Sequence, residues 1–191
     1  QLVVGGNITS EKRIGGDIEF IKGNKASGYT ERNNTDRISS QILLDHHFNE
    51  KSQFTFKNSI NYFQRKIWAG NFYSFDGTQT GTFTEATYSY HGERSEWTGG
   101  INLVTDKFKE LQNSQPVPRN YEQITTGIFI QNNLSVSRTF SLETGLRGDH
   151  VKDYGFAFLP RISMLFKISQ KLSSRIGGGM GYKTPTIFTE E

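Results

Sequence analysis

The stretch ITTGIFIQNNLSVS, residues 124–137, alternates with a period of two. Ile124, Thr126, Ile128, Ile130, Leu134 and Val136 share one face, while Thr125, Gly127, Gln131, Asn133, Ser135 and Ser137 share the other. Successive side chains of a strand point to opposite sides, so this segment reads as a β-strand with one apolar and one polar face. After a short break at Arg138–Thr139 the pattern returns, with Leu142, Thr144, Leu146 and Gly148 opposite Ser141, Glu143, Arg147 and Asp149. Two such runs joined by a short link predict an antiparallel hairpin.

Outward from this hairpin the same alternation recurs. In Gln53–Phe63, Phe54, Phe56, Ile60 and Tyr62 stand opposite Gln53, Thr55, Lys57, Ser59 and Asn61. It is present in Ile38–Phe48, Arg161–Ile168 and Leu172–Tyr182, and weaker in Leu2–Ile8, Ile14–Phe20, Thr82–Tyr90 and Glu96–Asp106. Consecutive strands usually pair, so about ten strands in an all-β, antiparallel up-and-down meander are expected over residues 1–191. Short links are expected at Thr9–Arg13, Asn49–Ser52, His91–Ser95, Arg138–Thr139 and Ser169–Lys171, and longer ones at Lys22–Asn34, Trp68–Gly81, Lys107–Asn120 and His150–Gly155. A sheet with one plain rim and one elaborated rim has this order, as transmembrane barrels do with their short periplasmic turns and longer extracellular loops. A soluble β-sandwich that binds a ligand also alternates apolar and polar faces, and periodicity alone leaves both architectures open.

Composition narrows the function. Charged residues make up 21% of the chain and hydrophobic ones 34%, with a mean hydropathy of −0.59. No apolar run approaches the roughly 18 residues of a transmembrane helix. That does not count against a barrel, which turns only alternate residues to lipid. The net charge of +3, from 22 basic and 19 acidic residues, is scattered, with no basic stripe interleaved with aromatics, so nucleic acid is not an expected partner. The absence of cysteine excludes disulfides, thiolate metal sites and a cysteine nucleophile. Gln1-Leu2-Val3-Val4 carries neither a start methionine nor a signal peptide, and the chain reads as an excised piece of something longer.

Candidate chemistry is sparse. His46 and His47 are adjacent in a strand, so they point to opposite faces and cannot share a metal ion. Residues 177–181, GGGMG, lie inside a strand rather than opening a helix and lack the Gly-Lys-Ser/Thr ending of a phosphate cradle. No catalytic constellation or cofactor motif is present, and no enzyme is expected. Trp68, Phe72, Tyr73 and Phe75 fall in one expected loop. They would contact a ligand or form an interfacial belt on an outer rim, or fold on one another.

From Gly127 onward the sequence resembles the TonB-dependent outer-membrane receptors, especially those of the Bacteroidetes type. The resemblance rests on GIFIQNNLSVSRTFSLETGLRGDH (Gly127–His150), FLPRISMLFKIS (Phe158–Ser169) and GGGMGYKTPTIFTEE (Gly177–Glu191). In that family a strand ending Gly-Leu-Arg-x-Asp is followed by Pro-Arg opening the next strand, and later by an aromatic–basic–x–Pro element closing on Glu. The matching positions are Arg147 and Asp149, Pro160 and Arg161, then Tyr182, Lys183 and Pro185 before Glu190. Each also has a physical reading. Pro160 has no N–H and suits the first residue of a strand. Arg147, Asp149 and Arg161 would pair on a lumen wall, or form an exposed ion pair worth under about 1 kcal/mol. Gly177, Gly179 and Gly181 would smooth one face of their strand or simply bend it, and Pro185 marks a strand giving way to a loop.

The resemblance implies part of a barrel of about 22 strands around a plug, set in the outer membrane of a Gram-negative bacterium. Such a protein imports a scarce nutrient: a ferric siderophore, haem or a cobalamin-like ligand. Its partners would be outer-membrane lipid, the small ligand, and TonB through a plug that these 191 residues do not contain. The expected lipid-facing residues are Phe54, Phe56, Ile60, Ile128, Ile130, Leu134, Leu142, Leu146, Met164 and Phe166.

Overall fold

In the computed structural model, residues 1–70, 72–113 and 119–184 are described. They form one sheet of β1 (Leu2–Gly16), β2 (Thr30–Asn49), β3 (Ser52–Ala69), β4 (Tyr73–His91), β5 (Ser95–Asn113), β6 (Tyr121–Ser135), β7 (Phe140–Val151), β8 (Gly155–Lys167) and β9 (Ser173–Gly179). The strands lie in sequence order and every neighbouring pair is antiparallel. This is the expected meander. No second sheet exists among the described residues, so a sandwich has no layer against which to bury the apolar face.

Some local expectations are corrected. Among the described residues the sheet has nine strands where about ten were expected, because Thr9–Arg13 is not a turn: pairing with β2 runs unbroken from Leu2↔Leu44 to Gly16↔Thr30. Ile14–Phe20 is not a strand either. It divides between the end of β1 and a one-turn helix, α1 (Ile18–Ile21), which Asp17 caps by accepting from the Glu19 and Phe20 amides. Gly16 makes this corner with φ +125, where a Cβ would collide with the Tyr29 carbonyl. The expected loop Trp68–Gly81 is likewise mostly strand, since β3 reaches Ala69 and β4 begins at Tyr73. The difference in link length is therefore smaller than expected. One rim carries links 50–51, 92–94, 136–139 and 168–172, and the other 17–29, 70–72, 114–120 and 152–154.

The register sorts the side chains onto two faces of opposite character. One row across the sheet reads Leu2, Leu44, Phe56, Ala86, Ile101, Ile128, Gly148 and Phe158. All ten residues of the expected lipid-facing set stand on this face. Its members are open to the surroundings: Ile101 is 58% exposed and Ile128 64%. On the opposite face Asn102, Asp149 and Ser163 are buried. A water-soluble domain has the reverse arrangement, so this sheet is built for an apolar surrounding.

The apolar belt occupies only part of each long strand. On β3 its edge is Tyr62, and on β5 it is Leu103, which lies opposite Thr84 and through it Asn58. The edge thus retreats along the strands from one side of the sheet to the other, as it must where strands are tilted to a flat membrane. Beyond the belt β1 to β5 continue toward the rim at 17–29 and 70–72 with polar and charged side chains on both faces.

Candidate functional site on the inner wall

Three adjacent strands place Asn102, Gly127 and Asp149 in one row on the polar face. Gly127 sits at the centre with no side chain. A Cβ there would fall inside contact distance of Asp149 Oδ1, Asn102 Oδ1 and Arg147 Nη2. Through this notch Arg147 reaches from β7 to β5 and donates to Asn102 Oδ1 at 3.1 Å, while its Nε donates to Asp149 Oδ2 at 3.0 Å. Asp149 is 3% exposed. A carboxylate removed from water to that degree requires charge and hydrogen bonds to compensate, and Arg147 supplies both. Its Oδ1 lies 2.8 Å from Arg147 Nε, yet makes no hydrogen bond among the described residues, because that N–H is aimed at Oδ2.

Tyr182 completes the cluster. Its hydroxyl donates to Asp149 Oδ2 at 2.9 Å. By strand alternation Tyr182 would face the apolar side with Gly178 and Met180, so the chain must leave the sheet to deliver it inward. Pro160 explains where it leaves. Its carbonyl accepts from Met180 N at 3.0 Å, so its ring nitrogen faces the same neighbour and has no hydrogen to give. The ladder between β8 and β9 ends beside it, at Arg161↔Gly179. The freed segment then crosses the polar face, where Thr184 accepts a hydrogen bond from Gln123 of β6.

The sequence-derived positions separate accordingly. Arg147, Asp149 and Tyr182 come together. Arg161 faces the same side but pairs with Glu143 at 3.2 Å instead. Pro160 stands inside β8 rather than at its start, and Lys183 is exposed. Pro185 and Glu190 lie outside the described residues. The four aromatics of the expected loop do not form one cluster. Trp68 is on the apolar-face side of β3 opposite Ser74, Phe72 is in the turn at 89% exposure, and Tyr73 and Phe75 face the polar side. Phe75 stacks on Phe108, which stacks on Tyr121, with ring centres 6.3 and 5.6 Å apart. Around this stack Tyr121 donates to Asp106 at 3.0 Å, Gln79 donates to both oxygens of the same carboxylate, and Arg119 pairs with the buried Glu110 at 2.7 Å. The alternation already put Gly127 on the polar face, but only the strand register could have joined it and Asn102 to Asp149, or Phe108 and Tyr121 to Phe75. His46 lies opposite Phe54 on the apolar face and His47 opposite Gln53 on the polar one. No group of metal-ligating side chains occurs among the described residues.

The family model described as TonB dependent receptor-like, beta-barrel, matches residues 5–189. The chain belongs to this family. TonB-dependent receptors are transporters of the Gram-negative outer membrane, and the apolar face of the sheet is the lipid-facing wall of such a barrel. No curated protein matches the chain by sequence. Among solved structures the fold is similar to a mutant of the ferric enterobactin receptor PfeA from Pseudomonas aeruginosa, with a TM-score of 0.67 and 11% identity over 96% of this chain. It is similar also to the RagAB peptide importer in its "open-open" state, with a TM-score of 0.56 and 9% identity over 75% of this chain. The chain spans 31% and 20% of the length of those two structures. At such identities the likeness is one of fold.

Proposed function

We propose that these residues are part of the barrel wall of a TonB-dependent importer for a scarce nutrient, with a ferric chelate first among the candidates and haem or a cobalamin-like ligand next. The inverted sheet carries this reading, with Ile101 and Ile128 facing out beside a buried Asn102 and Asp149 facing in. In this arrangement residues 1–191 are a partial barrel of about 22 strands, and a plug elsewhere in the parent protein contacts TonB and fills the lumen. The rim at 17–29 and 70–72 is the extracellular one, because the strands extend beyond the belt only on that side. The motif residues Arg147, Asp149, Arg161 and Tyr182 shape the inner wall, while Pro160, on the lipid-facing side of β8, ends the ladder that frees the segment carrying Lys183; Pro185 and Glu190 follow in the sequence. Near that rim Tyr73 and Phe75 offer aromatic surface to a ligand entering the lumen, whereas Trp68 points outward and Phe72 caps the turn.

The PfeA neighbour, by its name a ferric enterobactin receptor, motivates testing iron chelates first. The test is uptake by cells that carry or lack the parent gene, with TonB present or deleted, supplied in turn with labelled ferric siderophore, haem and cobalamin. Gene- and TonB-dependent accumulation of one of them is expected. Accumulation that persists without TonB, or recovery of the protein in the soluble fraction, would overturn the reading.

A further inference from the structure

Charge is unevenly spread along the rim of the short links. Residues 131–145 and 161–177 form the ends of β6 to β9 at this rim, together with the links 136–139 and 168–172. In them Glu143 is the one acid, against Arg138, Arg161, Lys167, Lys171 and Arg175. Along the same rim on β2 to β5, residues 45–57 and 85–96, five Asp and Glu stand against three Lys and Arg. The excess of positive charge is therefore local to β6–β9.

Within this group Glu143 of β7 draws two guanidinium groups together. Its Oε1 lies 3.2 Å from Arg161 Nη2 of β8, and its Oε2 lies 3.8 Å from Arg175 Nη1 of β9. All three residues share the inner face with Asp149. The carboxylate is mostly covered, whereas the two arginine side chains are 60% and 59% exposed. Close arginine–carboxylate hydrogen bonds are about 2.7–2.9 Å long, so these contacts are loose and leave donors of both forks for a second oxyanion. Exposed ion pairs of this kind also contribute little to stability, so an entering anion has no strong bond to displace. Arg161 has glycine on either side of it across the sheet, Gly145 and Gly179, and no neighbouring side chain in that row holds its fork against the wall.

We propose that Arg161 and Arg175, bridged by Glu143, form a weak anion site at the periplasmic mouth of the lumen, where the carboxylate or catecholate oxygens of a ferric chelate are held on the way out. This rests on the importer reading and on the rim at 17–29 and 70–72 being the extracellular one. Ferric chelates built on such oxygens carry net negative charge, and planar guanidinium forks match them in geometry. A site on a transport path must attract its cargo yet let it go. Glu143 meets both needs: it fixes the spacing of the two forks and cancels part of their charge. Lys167, two residues before β9 turns away from the rim links, adds to the attraction at longer range.

The test treats the full receptor in detergent with the arginine reagent phenylglyoxal, using citrate as the anionic probe and its uncharged triethyl ester as the control. Mass spectrometry of the digested protein reads each arginine separately. Citrate is expected to slow modification of Arg161 and Arg175 several-fold and to leave Arg13, 70% exposed toward the other rim, unchanged. The ester should protect none of them. In Glu143→Gln the same protection should need less citrate, because the competing carboxylate is gone. Lys57→Gln, on the same face but on β3, should leave it as it was. Correct folding of both variants is checked by their heat-dependent shift in gel mobility. Equal rates with and without citrate, equal protection of Arg13, or two arginines that fail to react even without citrate would overturn the proposal. Binding is read without transport, so protected arginines in a receptor that imports nothing would overturn only the importer reading.

Discussion

Tyr182 donates its hydroxyl to Asp149 Oδ2 at 2.9 Å from a segment that has left the sheet and crossed the polar face of β8 to reach β7. The bond links two motifs 33 residues apart. It also helps to keep a carboxylate at 3% exposure tolerable.

Tyr182→Phe removes one of the two hydrogen bonds to Asp149 Oδ2 and leaves a buried acceptor under-satisfied. A loss of about 1–3 kcal/mol is expected for docking of the segment. Hydrogen exchange should report it as faster exchange at residues 180–184, with β6 and β7 unchanged. Equal protection in both proteins would show that Asp149 does not hold the segment.

Gly127→Ala places a methyl where Asp149, Asn102 and Arg147 already converge. Overpacking of this kind costs about 1–3 kcal/mol. It should appear as a lower urea midpoint of the full receptor in lipid vesicles. Gly178→Ala, with open space around its Cβ position, is the matched control.

Ile128→Arg puts a charge into the centre of the belt, where about 2–4 kcal/mol is lost. Gln131→Arg, three residues along β6 on the inner face, should stay within about 0.5 kcal/mol. Equal effects in the same vesicle titration would contradict the assignment of faces.

Acid should loosen the cap of α1 only at low pH. The Lys25 ammonium, bonded to Asp17 at 2.7 Å, holds the Asp17 carboxyl below its ordinary value, and the Phe20 and Glu19 amides act in the same sense. A folded-state pKa lowered in this way means that the cap contributes fully above the unfolded value of about 3.9. It is lost as pH falls through the lower, folded value. Amide exchange at Glu19 and Phe20, followed as pH falls from neutrality, should rise only below the usual carboxylate range. In Asp17→Asn that step should disappear.

Inside the belt the sequence was an accurate guide, because lipid on one side and a polar lumen on the other force strict alternation. Residues 124–137 and 53–63 were legible for that reason. Beyond the belt no lipid fixes an apolar face and the constraint vanishes. Thr9-Ser10-Glu11-Lys12-Arg13 then looks like a turn although it continues β1, and Trp68 to Gly81 looks like a loop although it is mostly β3 and β4. The inner cluster was half visible. Arg147 and Asp149 announce themselves as charges on a polar face, but Gly127 and Asn102 acquire meaning only through cross-strand register. Tyr182 could not be placed inward by alternation, since its position depends on Pro160 ending a ladder from the neighbouring strand.

Strands that continue past the membrane have a consequence for attack from outside the cell. A protease must draw several residues of backbone into its cleft as an unpaired strand, and laddered hydrogen bonds withhold that backbone. On the rim proposed to be extracellular, β3 and β4 stay paired up to Ala69↔Tyr73, so Lys66 is shielded although water reaches its side chain. Lys22 and Lys25, in the link after β1, are not shielded by any ladder. Trypsin applied to intact cells would nick the collar there while the tall wall beside it stayed whole.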